Sequence, residues 1–160
     1  MREVEPHVRG VAALRVAETG IVDYKAVSEA FARKIAEAGG SVRTDARFLG
    51  CKREQDAITA ETTAGPVRAK VLVNCAGLHS DRVARLCGVE PGVRIVPFRG
   101  EYYELKPRAA HLCKHLIYPV PDARLPFLGV HFTRMVGGGV ECGPNAVLAF
   151  RREGYRFRDA

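Results

Sequence analysis

The pattern of turns and apolar residues changes character near Pro91-Gly92, and this change constrains the fold more than any other feature of the chain. Before it, helix and strand signals alternate. Asp23 stands as an N-cap ahead of residues 24–38, where Val27, Phe31, Ile35 and Ala38 recur at helical spacing and predict one buried stripe. Gly39-Gly40 ends that helix, and short strands are expected on either side of it at 20–24 and 41–44. Residues 47–53 and 57–63 predict two strands of a meander joined by Glu54-Gln55-Asp56, with a turn at Gly65-Pro66. A further strand follows over 67–75, wholly apolar at Val71-Leu72-Val73. An unbroken apolar run suits a parallel strand covered on both faces, so 71–75 is expected beside 41–44 in parallel. Ala76-Gly77 breaks the strand, and 80–87 predicts a short helix closed by Gly88.

After Pro91-Gly92 the helical pattern fades. Residues 94–96, 100–105, 116–120, 127–133 and 140–142 read as short strands between Pro-rich or Gly-rich turns, with Gly137-Gly138-Gly139 a hairpin connection. The expected fold class is therefore α/β (α+β). Residues 1–91 are assigned to part of a nucleotide-binding domain and 92–160 to part of a mainly antiparallel, substrate-binding sheet.

Composition narrows the functional classes. With 47% hydrophobic and 27% charged residues and no low-complexity tract, the chain is globular in character. No apolar run approaches the roughly 18 residues of a membrane-spanning helix. The N-terminus mixes charges from its second residue, unlike a signal peptide, which predicts a cytoplasmic protein. The formal charge of +7 comes from 25 Lys+Arg against 18 Asp+Glu. These basic residues are spread along the chain without aromatic interleaving or a reading motif, so no nucleic-acid partner is expected. A positive field instead favours an anionic substrate such as a dicarboxylate. The densest basic cluster, Arg151-Arg152-Glu153-Gly154-Tyr155-Arg156-Phe157-Arg158, reads as an exposed charged element. Five scattered cysteines, Cys51, Cys75, Cys87, Cys113 and Cys142, show no metal-ligand spacing. They predict no metal site and reduced, mostly buried thiols.

Chemistry has two candidate locations. The first is the strand–loop–helix unit from Val71 to Asp81, whose small-residue loop lets backbone amides approach a phosphate or flavin ring, with a helix N-terminus directed at the same point. Many α/β proteins carry such a turn without a ligand. No GxGxxG fingerprint occurs in the 160 residues, so a nucleotide-binding chain is expected to be a fragment with that fingerprint upstream of Met1. The second is 127–133, where strand alternation puts Phe127, Gly129 and His131 on one face. Gly129 would leave room for a flat ring or a substrate beside His131, whose imidazole could accept a hydroxyl proton as hydride leaves the carbon. The plainer role of His131 is a satisfied sheet histidine. Arg99, Tyr118, Arg134 and Asn145 are candidate binders of substrate carboxylate or carbonyl oxygens, and arginine suits bidentate carboxylate contacts.

At these residues the chain resembles a known family. Glu5-Pro6-His7-Val8-Arg9-Gly10, Thr19-Gly20-Ile21-Val22-Asp23-Tyr24, Ala38-Gly39-Gly40-Ser41-Val42 and Asn74-Cys75-Ala76-Gly77-Leu78-His79-Ser80-Asp81 are similar to segments of L-2-hydroxyglutarate oxidase/dehydrogenase. So are Ile95 to Tyr102, Ile117 to Asp122, Pro126 to Thr133 and Gly143 to Phe150, all in collinear order. The last two blocks are specific to that family. The Cys-Ala-Gly loop is shared across the D-amino-acid-oxidase superfamily. The resemblance implies an FAD-dependent enzyme that oxidises L-2-hydroxyglutarate to 2-oxoglutarate and passes electrons to oxygen or to the respiratory chain. It also implies a peripheral membrane association for the full enzyme.

By the same resemblance, residues 1–91 are part of an FAD-binding Rossmann-like domain. Cys75, Ala76 and Gly77 form a flavin-contacting loop, and the backbone of Phe48 meets the adenine. Arg99-Gly100 and His131 lie on the sheet facing the flavin, which agrees with the reading of His131 above as the candidate catalytic residue. The family's N-terminal GxGxxG unit and its C-terminal glycine-rich segment have no counterpart here. An internal fragment lacking both is expected to hold FAD poorly and to be inactive. The rival readings are a related flavin oxidase acting on glycerol 3-phosphate or a D-amino acid, and a non-catalytic module that binds an acidic partner.

Overall fold

The computed structural model describes residues 1–124, 127, 129–156 and 159. Its first helix, α1 (Tyr24–Glu37), begins where the Asp23 Oδ1 accepts the amides of Lys25 at 2.9 Å and Ala26 at 3.2 Å, as an N-cap should. It ends in a Schellman arrangement. Gly39 takes φ 81°, its amide bonds to Ala36, and the Gly40 amide reaches back to the Ile35 carbonyl at 2.8 Å. The stripe that predicted burial is present but uncovered. No residue of α1 is buried, and Phe31 and Ile35 are 62% and 43% exposed. Periodicity sets the helix; burial needs a facing surface that spacing cannot supply.

The first sheet is an antiparallel meander, β1 (Phe48–Arg53), β2 (Ile58–Thr62) and β3 (Val67–Ala69), in that order. Glu54-Gln55-Asp56 makes the first connection, closed by the Glu54 amide on the Ala57 carbonyl at 2.8 Å. Gly65, at φ 98°, makes the second. The third strand stops at Ala69, short of the expected 67–75. Residues 71–75 and 41–44 form no strand, and no parallel pair is present among the described residues. Val71 and Val73 are 72% and 74% exposed. A strand exists only where a second backbone accepts its hydrogen bonds, and this apolar run has no such neighbour. Residues 20–24 and 94–96 are likewise not strands. A 3-10 turn (Gly77–His79) then leads into α2 (Ser80–Leu86), closed by Gly88 at φ 72°.

The second sheet is antiparallel throughout, as the turn-bounded pattern predicted. Its order is β4 (Phe98–Glu104), β6 (Val140–Leu148), β5 (His131–Arg134). The β5–β6 hairpin turns through Gly138 and Gly139, at φ 95° and 87°. Residues 116–120 contribute a single bridge, Ile117 to Phe132, rather than a strand. The strand expected over 127–133 is ordered as β only from His131, with Leu128 outside the described residues. Against β4, Glu101 pairs with Asn145 and Tyr103 with Cys142, so Gly143 and Pro144 together oppose Tyr102 in a bulge.

Contacts divide the chain into two units that do not follow sequence order. Met1–Phe31 joins Phe98–Leu148, with the second sheet, while Ala32–Pro97 joins Ala149–Ala160, with the first sheet and α2. The crossings fall at Phe31/Ala32, Pro97/Phe98 and Leu148/Ala149, whereas the sequence pattern changes near Pro91-Gly92. The buried apolar side chains among the described residues are Ala57, Cys113, Val140 and Ala149.

Candidate functional site

The substrate-side candidates lie in the unit built on the second sheet. Ile117 and Phe132 exchange both backbone hydrogen bonds, at 3.0 and 2.9 Å. The next pair along, Tyr118 and His131, is thus a non-hydrogen-bonded pair, in which side chains come closest. Their rings stack at 4.4 Å with planes 16° apart, and His131 is buried. The Nδ1 of His131 lies 2.9 Å from the Gly129 carbonyl, which can only accept, so Nδ1 carries the proton and donates. A neutral ring held this way presents Nε2 as its basic nitrogen. The space beside Gly129 is not open: a Cβ there would lie 2.9 Å from Pro119 Cγ. The room expected for a flat ring is filled by a proline that sequence alternation could not locate.

Register separates the other candidates. His131 pairs with Gly143, whose bulge opposes Tyr102, so His131, Gly100 and Tyr102 share one face of the sheet. Arg99, Asn145 and Arg134 alternate onto the opposite face. Arg99 donates to Glu101 Oε1 through Nη2 at 2.7 Å and Nε at 3.2 Å. Arg134 Nη1 donates to the Cys113 carbonyl at 2.9 Å. Asn145 is exposed, opposite Glu101.

Arg134 and Tyr118 also line a cleft of about 700 Å³, together with Arg15, Lys114, Glu5 and His115. Sequence reasoning did not single out Glu5 or His115. The buried Glu5 carboxylate accepts the amides of Lys114 at 2.9 Å and His115 at 2.6 Å, and its Oε1 lies 2.7 Å from His115 Nδ1. Those contacts span more than a hundred positions, and no local pattern signals them. The cleft's one carboxylate is engaged, whereas three cationic side chains border the space, a balance suited to an anion.

The flavin-side candidates lie in the other unit. Phe48 opens β1 and pairs with Thr62, just before an irregularity that interrupts the β1–β2 register ahead of Gly50. The loop Cys75-Ala76-Gly77 follows Asn74, which staples it: the Asn74 Oδ1 accepts the Ala76 amide at 3.1 Å, and its Nδ2 donates to the Ser80 carbonyl at 2.8 Å. Cys75 and Gly77 are exposed. Gly77 sits at φ 52°, with no atom within 4 Å of where a Cβ would stand. An open, side-chain-free backbone surface of this kind fits the close approach of a flat ring system. The helix beyond it starts only after the 3-10 turn, at Ser80, so the strand-to-helix transition is less direct than the sequence implied.

Asp81, on the first turn of α2, is the most perturbed carboxyl of this unit. Its side chain is 2% exposed and takes a bidentate contact from Arg152, Nη1 to Oδ1 at 2.5 Å and Nη2 to Oδ2 at 2.6 Å. The guanidinium hydrogen bond, aided by the Ile95 amide and the charge of Arg152, outweighs burial and holds the Asp81 carboxyl far below the ordinary range. Arg152 is therefore not part of an exposed tail; its side chain is 13% exposed. Phe157 and Arg158 of that cluster lie outside the described residues. The thiols are also less buried than expected. Cys113 alone is buried, Cys75 is exposed, and Cys51, Cys87 and Cys142 are half-buried. Burial, and then a hydrogen bond with Cys51, pushes the Cys87 thiol up to about 11.

Comparison with known proteins adds an independent line. The family described as FAD dependent oxidoreductase matches residues 1–159. The chain is 51% identical over 98% of its length to an L-2-hydroxyglutarate dehydrogenase of Indibacter alkaliphilus, covering 39% of that protein. It is 45% identical over 99% of its length to the enzyme of that name in Escherichia coli K12, covering 38%. To the mitochondrial L-2-hydroxyglutarate dehydrogenase of Homo sapiens it is 47% identical over 98% of its length, covering 36%. The chain thus spans well under half the length of these curated relatives.

Proposed function

The chain belongs to the FAD dependent oxidoreductase family, and from that premise we propose that the full-length protein oxidises L-2-hydroxyglutarate to 2-oxoglutarate. The observation that carries this reading is the collinear likeness of the whole chain to L-2-hydroxyglutarate dehydrogenases from bacteria and mitochondria. The flavin contacts come from Phe48, Cys75, Ala76 and Gly77, and the substrate contacts from residues of 92–160. Bound FAD supplies the hydride acceptor.

The chain's own residues handle the proton and the carboxylates. His131, its Nδ1–H given to the Gly129 carbonyl, holds Nε2 to accept the hydroxyl proton as the C2–H bond breaks and the C2=O bond forms. Tyr118 fixes the plane of the imidazole by stacking on it. Arg134, on the sheet face away from His131, joins Lys114 and Arg15 on the cleft to supply positive charge for a carboxylate, and Arg99 and Asn145 share that face of the sheet with Arg134. Electrons then pass to oxygen or to a respiratory-chain quinone, in the cytoplasm or at a membrane surface. No helix among the described residues is long and apolar enough to cross a membrane.

The test is a substrate panel on the full-length protein with an artificial electron acceptor: L-2-hydroxyglutarate, its D enantiomer, glycerol 3-phosphate and D-amino acids. Formation of 2-oxoglutarate from the L enantiomer alone is expected; faster turnover of glycerol 3-phosphate or a D-amino acid would overturn the reading. His131→Ala should lower turnover by roughly 100- to 10,000-fold with FAD still bound. Near-normal turnover would make His131 a structural residue.

A further inference from the structure

We propose that Arg152 is a positioning residue, which holds the Cys75-Ala76-Gly77 loop in place for the flavin through Leu78 and Asp81, 74 and 71 residues away in the chain. The proposal rests on the reading that this loop contacts FAD. A loop is placed by its own packing or by its anchors, and this one has little packing. Cys75 and Gly77 are exposed, and no atom comes within 4 Å of the Gly77 Cβ position. The loop therefore depends on what grips its ends.

The N-terminal end is held locally, by the Asn74 side chain on Ala76 and Ser80. Beyond that local tie to Ser80, the C-terminal end is held by one guanidinium. Arg152 Nη1 donates to the Leu78 carbonyl, in the turn that directly follows Gly77, and also to Asp81 Oδ1; Nη2 donates to Asp81 Oδ2 at 2.6 Å. Asp81 is locked in turn. Its Oδ1 accepts the Arg82 amide at 2.8 Å, and its Oδ2 accepts the Ile95 amide at 3.4 Å and contacts Arg85 Nη1 at 3.5 Å. Beside the clamp, Glu153 Oε1 meets His79 Nε2 at 3.1 Å. Two neighbouring side chains of a remote segment thus hold residues 78, 79 and 81, on either side of the Ser80 carbonyl that Asn74 holds. Only a planar fork reaches both carboxylate oxygens and a carbonyl at once; an ammonium offers a single point of charge.

Arg152→Lys is the informative variant. It keeps a cation for Asp81, avoiding an uncompensated buried carboxylate, but gives up the fork. In the full-length protein the FAD dissociation constant should rise by about tenfold or more, roughly what one lost charge-assisted contact is worth. The visible absorption and circular dichroism of the bound flavin should shift with it. The midpoint of thermal unfolding, recorded on the same samples with FAD removed, should fall no more than that of Arg85→Lys, which touches the same carboxylate from the exposed side. Protection of Cys75 from iodoacetamide by FAD in the unaltered protein tests the underlying reading separately. If FAD protects Cys75 but Arg152→Lys binds FAD with unchanged affinity and spectrum, the positioning role is wrong and the loop assignment stands. If FAD leaves Cys75 as reactive as before, the loop assignment fails and the proposal falls with it.

Discussion

Gly143→Ala adds one methyl group to β6 at a point where the second sheet has no room for it. The new Cβ would stand 2.6 Å from Tyr102 Cδ1, 2.9 Å from Tyr102 Cγ and 2.8 Å from the Glu101 carbonyl oxygen. Van der Waals contact between such atoms begins near 3.4 Å, so all three separations lie deep in the repulsive range. The ring could swing away, since Tyr102 is 50% exposed, but the Glu101 oxygen is backbone in the paired strand and moves only with β4. Relief thus requires the bulge at Gly143-Pro144 to open. Overpacking of this kind costs about 1–3 kcal/mol, which for a protein of this size lowers the unfolding midpoint by roughly 2–12 °C.

Gly137→Ala, in the adjoining hairpin, is the matched control. Nothing lies within 4 Å of its Cβ position and its φ is not positive, so alanine there should be neutral or stabilising by up to about 1 kcal/mol. The assay is thermal or urea unfolding of the two variants beside the unaltered protein. Equal midpoints for Gly143→Ala and the unaltered protein, or an equal loss from Gly137→Ala, would refute the argument that the bulge is sterically closed.

Two further outcomes follow from the titratable groups. At pH 8, iodoacetamide should modify exposed Cys75 first, while Cys87, with its thiol pushed up to about 11 from an ordinary 9.0, should react roughly 100-fold more slowly than an unperturbed thiol; peptide mass spectrometry reads both rates, and similar rates would contradict the burial of Cys87. Asp81 has a folded pKa far below its ordinary 3.8, so its contribution to stability is complete above the unfolded value and is lost as pH falls below about 4. Acid unfolding monitored by circular dichroism should accordingly be shallower in Asp81→Asn than in the unaltered protein, and parallel curves would contradict the linkage.

Local chemistry was enough for the elements whose causes are local. Asp23 as N-cap, Gly39-Gly40 as the helix stop, the Glu54-Gln55-Asp56 and Gly65 turns, and the Gly138-Gly139 hairpin all follow from side chains or glycine dihedrals acting within a few residues. The collinear segments around Cys75, His131 and Asn145 carried the family in the same way, because identity of sequence needs no coordinates. What depended on a partner distant in the chain was decided only in three dimensions. Val71-Leu72-Val73 has the composition of a buried strand, yet no second backbone pairs with it, and the stripe of α1 is uncovered for the same reason. Alternation put Gly129 and His131 on one face but could not know that Pro119 fills the space beside Gly129. Alternation within β5 does put Arg134 opposite His131, three residues on, but it could not place Arg99, since one extra residue in the β6 bulge reverses the alternation of everything beyond it. Glu5 with His115 and Asp81 with Arg152 left no trace in sequence spacing, because a hydrogen bond is fixed by distance in space and is indifferent to the length of chain between its ends.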